Sequence, residues 1–221
     1  MTFAHEEIGH IISFDSDSVA ELVIENRKLF FALVEDFFNQ SDGLAGKIVI
    51  SHNNKPLEIS RHCEILTQFA PFDMNKKTLL SKIHSALEKD AINEENYMKT
   101  MEFLKDLELF LENLSKDFPC PLTFQKLSVS SLIKAASPEV DDVTKPPLEK
   151  ILDYMDLVRE FDRDKLFVTV NLRTFFDDSE MGIFTESVCF KGIKLLMLEN
   201  FSQKPLNHAK HYTVDDDLCE F

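Results

Sequence analysis

Lys165-Leu166-Phe167-Val168-Thr169-Val170-Asn171-Leu172 is a short, almost unbroken apolar run rich in β-branched and aromatic residues. Asp162-Arg163-Asp164 precedes it, and Asn171 and Arg173 close it. A strand apolar on both faces of its pleat fits a parallel sheet flanked by helices. A second run, Ile193-Lys194-Leu195-Leu196-Met197-Leu198, follows after one helix length of chain. Strand, helix-length crossover and strand make a βαβ unit, with a right-handed crossover as the rule. The last third of the chain therefore anchors the sheet.

Upstream, Ile8, Ile11, Ile12 and Phe14 lead into the turn cluster Asp15-Ser16-Asp17-Ser18, and Ala20-Glu21-Leu22-Val23-Ile24 reads as a further strand. Asn26 stands where a helix N-cap belongs, because Leu29, Phe30, Leu33, Val34, Phe37 and Phe38 follow at helical spacing. Ser41-Asp42-Gly43 ends that helix. Lys47-Ile48-Val49-Ile50-Ser51 is the next strand, with Leu57-Glu58-Ile59 as its hairpin partner across the turn at residues 52–56.

The middle of the chain has a different character. Residues 75–118 contain no Gly or Pro, and Leu79, Leu80, Ile83 and Leu87 form one amphipathic stripe. Tyr97, Thr100, Leu104, Leu107, Leu111, Leu114 and Phe118 then alternate spacings of three and four, the seam of a coiled coil or of a long antiparallel helix pair. Phe118-Pro119-Cys120-Pro121 stops it. A strand-like Leu122-Thr123-Phe124, a short helix over 128–136, a loop over 137–144 and a helix opening on Pro146-Pro147 complete the region. The fold expected is α/β, with a mostly parallel, degenerate NTPase-like sheet and an inserted α-helical domain. Its α/β body is residues 1–74 with 162–221, and the helical domain is residues 75–161.

The 221 residues carry a net charge of −15, are 44% apolar and include 20 Phe but no Trp. Such a charge argues against a general nucleic-acid binder but leaves room for a local basic surface among the 24 Lys and Arg. No apolar run is long enough to span a membrane, and residues 1–7 lack the basic start and apolar core of a signal peptide. Cys63, Cys120, Cys189 and Cys219 are scattered without a CxxC pair, which suits a reducing, cytoplasmic setting.

A sheet of this kind raises the question of nucleotide binding, which needs a Gly-rich turn between strand and helix. The first such step, Val23-Ile24-Glu25-Asn26-Arg27-Lys28, has no glycine, and Glu25 repels phosphate. Gly43-Leu44-Ala45-Gly46-Lys47 has the wrong spacing and precedes a strand. The strand at 166–170 ends in Asn171 where a magnesium ligand calls for Asp. None of the seven His has partners at metal spacing, Asp215-Asp216-Asp217 reads as a solvated tail, and no Gly-x-Ser-x-Gly is present. The residues supply no catalytic constellation, so the chain reads as a non-enzyme. The basic candidates are Arg27 with Lys28, Lys47 and Lys55, Arg61 with His62, Lys76, Lys77 and Lys82, and Lys204 with Lys210. Such groups are ordinarily solvated faces.

Several stretches resemble one family. They are Phe72-Asp73-Met74-Asn75 followed by Thr78-Leu79-Leu80-Ser81-Lys82-Ile83-His84-Ser85-Ala86-Leu87-Glu88, the 165–171 run followed by a helix and residues 193–199, and the ending His211-Tyr212-Thr213-Val214-Asp215-Asp216-Asp217. Together they resemble the small non-catalytic adaptation protein of type II-A CRISPR–Cas loci, over essentially the whole chain. The resemblance implies antiviral defence through spacer acquisition. It also implies a homotetrameric ring whose lysine-lined hole takes double-stranded DNA by its free ends without sequence readout. The partners implied are the integrase complex and the effector nuclease, with no membrane. On this reading Lys76, Lys77 and Lys82 are the first DNA-contact candidates, and Arg27 and Lys28 the second. The resemblance also implies calcium bound just after the long central helix, yet residues 116–126 hold a single carboxylate, Asp117. No cofactor is therefore expected. Two readings from other classes compete: a helical protein-interaction scaffold built on the 97–118 seam without DNA binding, and a divergent nucleotide hydrolase.

Overall fold

The computed structural model describes residues 1–14, 19–141 and 144–221. The turn cluster expected at 15–18 lies outside the described residues. Compact units are formed by Met1–Asp73 with Val143–Phe221, and by Met74–Asp142.

The first unit is built on a five-stranded, all-parallel sheet. Its strands are β3 (Val19–Ile24), β6 (Cys63–Leu66), β7 (Leu166–Val170), β8 (Lys194–Glu199) and β9 (Lys210–Val214), in the order β6-β7-β8-β3-β9. Every residue of β3 is buried, as expected of a strand covered on both faces. The βαβ unit read from the sequence is present: β7 and β8 pair in parallel, and α7 (Asp178–Phe190) connects them. A separate antiparallel sheet, order β2-β1-β4-β5, comprises β1 (Thr2–His5), β2 (Ile8–Ser13), β4 (Ile48–His52) and β5 (Lys55–Leu57). The β4–β5 hairpin turns on Asn53 and Asn54, both at positive φ (50° and 59°), where Asn is among the few side chains tolerated.

Alternation along the strands separates two layers. Ala20, Leu22, Ile24, Val168, Leu196 and Leu198 join one core with Leu29, Leu33 and Phe37 of α1 (Arg27–Ser41) and with Phe3, Ile12 and Ile50 of the antiparallel sheet. Phe3 and Phe37 stack at 5.8 Å. The opposite face of the parallel sheet receives α7 and α6 (Pro147–Phe161), and the Tyr154 hydroxyl of α6 donates to Glu64 of β6. The helix α6 belongs to this unit, not to the helical segment in which its periodicity places it, because its buried Ile151, Tyr154, Met155 and Val158 close the sheet.

Local chemistry sets the helix ends. Asn26 Oδ1 accepts the backbone N–H groups of Lys28 and Leu29, both at 3.1 Å. α1 stops at Gly43 (φ 81°) and α7 at Gly192 (φ 61°), each in a Schellman motif. In the second, Ile193 N–H reaches Val188 C=O at 3.0 Å, and both side chains are buried. The one-turn helix α2 (Ile59–His62) leads into β6. Glu220 Oε1 accepts the β2 amide of Gly9 at 2.6 Å.

The second unit holds α3 (Lys77–Ala91), α4 (Tyr97–Leu114) and α5 (Val129–Ala136). Thr100, the polar position in the seam, donates its hydroxyl to Ala91 C=O at 2.7 Å and ties α4 to the end of α3. Only Leu104 of the seam is fully buried, and Tyr97, Leu114 and Phe118 are 48%, 57% and 57% exposed. The seam is therefore only partly matched within the chain. Residues 122–124 pair with no strand among the described residues, so the strand expected there is absent.

Replacing Asn26 with Ala removes both cap acceptors and is expected to cost about 1 kcal/mol, measured by chemical denaturation.

Candidate nucleic-acid interface

The expected DNA contacts open two helices. Lys76 occupies the N-cap position of α3 without a side-chain cap bond, Lys77 is its first residue, and the first turn contains no acidic residue. α1 repeats this pattern with Arg27 and Lys28. Cations beside the positive end of a helix are locally unfavourable, by about 0.3–1 kcal/mol each, and an anion would relieve that cost. The two starts differ in their surroundings. Asn26 Nδ2 donates to Asp216 C=O at 2.9 Å, which places the acidic 215–217 run at the α1 start, whereas no such run adjoins α3 in sequence.

The helix geometry does not gather the three lysines of α3 on one face. At about 100° per residue, Lys82 lies about 140° around the axis from Lys77. Lys77 faces a groove of about 690 Å³ between α3 and α5, lined also by Ser81, His84, Ser130 and Lys134. Asn75 closes the groove's end by exchanging two hydrogen bonds with the Val140 backbone, at 2.7 and 3.2 Å. Lys134 is a second cation in the groove that sequence reading passed over, because nothing in its local pattern connects α5 to α3. Glu88 and Glu139 also line the groove and offset its charge.

Two further basic candidates are paired with carboxylates. Lys47 pairs with Glu7, and Arg61 Nε lies 3.0 Å from Glu58. Asp215 caps its own turn, accepting from the Asp217 and Cys219 amides at 3.0 and 2.8 Å.

The carboxyl end of the parallel sheet is where open α/β folds bind ligands. Here the β3–α1 step is only Glu25-Asn26, too short to wrap a phosphate. The space nearby holds a buried ionic cluster. Arg173, in a 3₁₀ turn at Leu172–Thr174 just after β7, is 3% exposed, and Glu21 and Glu199 are fully buried. Arg173 Nη1 donates to Glu21 at 2.6 Å, and Nη2 donates to Asp178 at 2.7 Å and to Lys204 C=O at 3.0 Å. Its backbone N–H donates to Glu199 Oε1 at 3.2 Å. His211 Nδ1 lies 3.0 Å from Glu21 Oε2. The sequence shows Arg173 only as the polar stop of a strand and His211 only as a histidine without partners at metal spacing, since their partners lie far away in the chain.

Burial pushes the Glu199 carboxyl up to about 7, and the Glu21 charge acts in the same direction against the Leu172 and Arg173 amides. Among the described residues, no group of three or more His, Cys, Asp or Glu could hold a metal ion. The donors of residues 116–126 do not fit calcium, which takes six to eight oxygens, because Asp117 is the segment's sole carboxylate.

Residues 40–218 match the family described as CRISPR-associated protein (Cas_Csn2). The chain belongs to this family. No match is found among curated proteins. The Cas_Csn2 match begins inside α1 and takes in α3 to α5 and, of the parallel sheet, β6 to β9 but not β3, and membership gives the chain a CRISPR-associated role in adaptation. Among the described residues, no helix is long and apolar enough to cross a membrane.

Two outcomes follow from the buried cluster. Arg173→Met leaves Glu21 buried without its cation and is expected to cost about 3–5 kcal/mol in denaturant unfolding. Glu199 has a folded-state pKa above its ordinary 4.5, so its contribution to stability is whole below about 4.5 and is lost as pH rises through about 7. Glu199→Gln is therefore expected to flatten the decline of stability between those values, by up to about 1.4 kcal/mol per pH unit. Unfolding free energies across that range check it.

Proposed function

We propose that the chain is a non-catalytic, double-stranded DNA-end-binding ring protein of type II-A CRISPR adaptation, acting as a homotetramer through sequence-independent phosphate contacts. Family membership over residues 40–218 carries this reading. The basic, acid-free start of α3 supports Lys76, Lys77 and Lys82 as contacts, and these residues fall inside the matched range. Arg27 and Lys28 lie outside it and stand second. The overall charge of −15 favours the same arrangement, because like-charge repulsion confines DNA to a small basic region. The partners proposed are the adaptation integrase complex and the effector nuclease. Binding requires no metal at residues 116–126, so calcium and chelator are expected to leave affinity unchanged.

A second reading, a helical scaffold without DNA binding, has one observation in its favour. Phe103, Phe110 and Leu114 on α4 are 60%, 56% and 57% exposed and, with half-buried Leu107, follow heptad spacing.

The deciding experiment measures binding to linear and covalently closed duplexes of one sequence across a salt series. Binding of the linear form alone, falling steeply with salt, is expected. Equal binding to both overturns the ring, and binding to neither leaves the scaffold. The double variant Lys76→Glu/Lys77→Glu is expected to lower the salt slope by about 2, at roughly 0.9 for each phosphate left without its lysine. An unchanged slope removes these lysines from the interface.

A further inference from the structure

Hydrogen bonds in the buried cluster are divided unequally between its two carboxylates. Glu21 receives Arg173 Nη1 at 2.6 Å and has His211 Nδ1 at 3.0 Å on its other oxygen. Glu199 is held through Oε1 by backbone amide, at 3.2 Å from Arg173 N–H. Its second oxygen, Oε2, is buried and makes no hydrogen bond, and the same is true of Arg173 Nε. A buried acceptor and a buried donor on neighbouring groups are thus both without a protein partner.

This arrangement suits a neutral Glu199. An ionised Glu199 is a second buried anion beside Glu21, and its bare Oε2 carries the full cost of desolvation. The available remedy is the unused Nε–H of Arg173. Turning the guanidinium toward Oε2 withdraws Nη2, which holds Lys204 C=O at 3.0 Å and Asp178 at 2.7 Å. Lys204 lies in the connection between β8 and β9, residues 200–209, so the turn gives up the cluster's hold on that segment.

We propose that Glu21, Arg173 and Glu199 form a proton-operated latch on the β8–β9 connection: closed while Glu199 keeps its proton, and released when Glu199 ionises and draws Arg173 off the Lys204 carbonyl. The charged groups facing Glu199 are Arg173 from the 3₁₀ turn and Glu21 from β3. Asp178 of α7 and His211 of β9 act one contact further out, on Arg173 and Glu21 respectively. Burial, which places the Glu199 carboxyl at about 7, brings the change into the neutral range. The same connection has a second, separate hold at His208, whose carbonyl accepts from Cys189 Sγ at 3.2 Å.

Hydrogen exchange followed by mass spectrometry tests the latch on the full chain, with rates corrected for intrinsic pH dependence. Protection in peptides covering 200–209 is expected to fall about tenfold between about pH 6 and about pH 8.5, while peptides from β3 and α1 hold theirs. Glu199→Gln is expected to keep the low-pH protection throughout. A flat profile in the unmodified protein, or the same fall in Glu199→Gln, overturns the proposal. Should Glu199→Gln fail to fold, His211→Gln decides: a fall that persists supports Glu199 as the trigger, and a fall that disappears overturns it.

Discussion

One guanidinium holds the carboxyl end of the sheet together. Arg173 bonds to β3, two strands across the sheet from β7, to the first turn of α7 and to the β8–β9 connection, all from within the protein interior. Its role follows from where it sits: the chain leaves β7, turns once and must start α7, and the cation at that turn meets Glu199 at the end of β8 and Glu21 on β3 beyond it. Such a cluster is weak evidence for stability, since well-packed apolar side chains serve as well or better. It is stronger evidence for a defined arrangement, because a buried carboxylate tolerates few alternatives. The result is a sheet with the outline of a nucleotide-binding fold whose ligand end is filled by its own side chains.

Much of this was legible in the residues, for physical reasons that differ by element. The apolar runs of β7 and β8 announce strands covered on both faces, and Asn26 and Gly43 bound α1 by cap chemistry that acts within a few residues. The strands β6 and β9 gave no comparable signal. The first carries Glu64 and follows directly on His62, and the second is a half-buried edge strand with Lys210 and His211. The helix α6 shows the limit of periodicity, which reports that a face is apolar but not which surface it meets. In the candidate site, the lysines of α3 were visible as residues, whereas their spread around the helix axis and the nearness of Lys134 depend on packing.

The acidic balance of the chain, awkward at first for a nucleic-acid partner, becomes intelligible once charge is considered by location. Lys47 and Arg61 are paired with nearby carboxylates, and the first turns of α1 and α3 carry no acidic residue of their own. On the proposed reading, net charge governs long-range approach, and the helix starts govern where a phosphate would settle.

The position of β3 also bears on how the chain folds. Both of its neighbours come late: it pairs with β8 from Leu195 onward and with β9 from Lys210 onward. During synthesis, a strand that ends up buried along its whole length therefore waits for its partners until β8 and β9 have been made. α1 and the antiparallel hairpins can shield one face early, because they lie close by in sequence. The other face stays uncovered, as do both hydrogen-bonding edges. Non-local parallel pairing of this kind closes slowly and exposes intermediates to self-association.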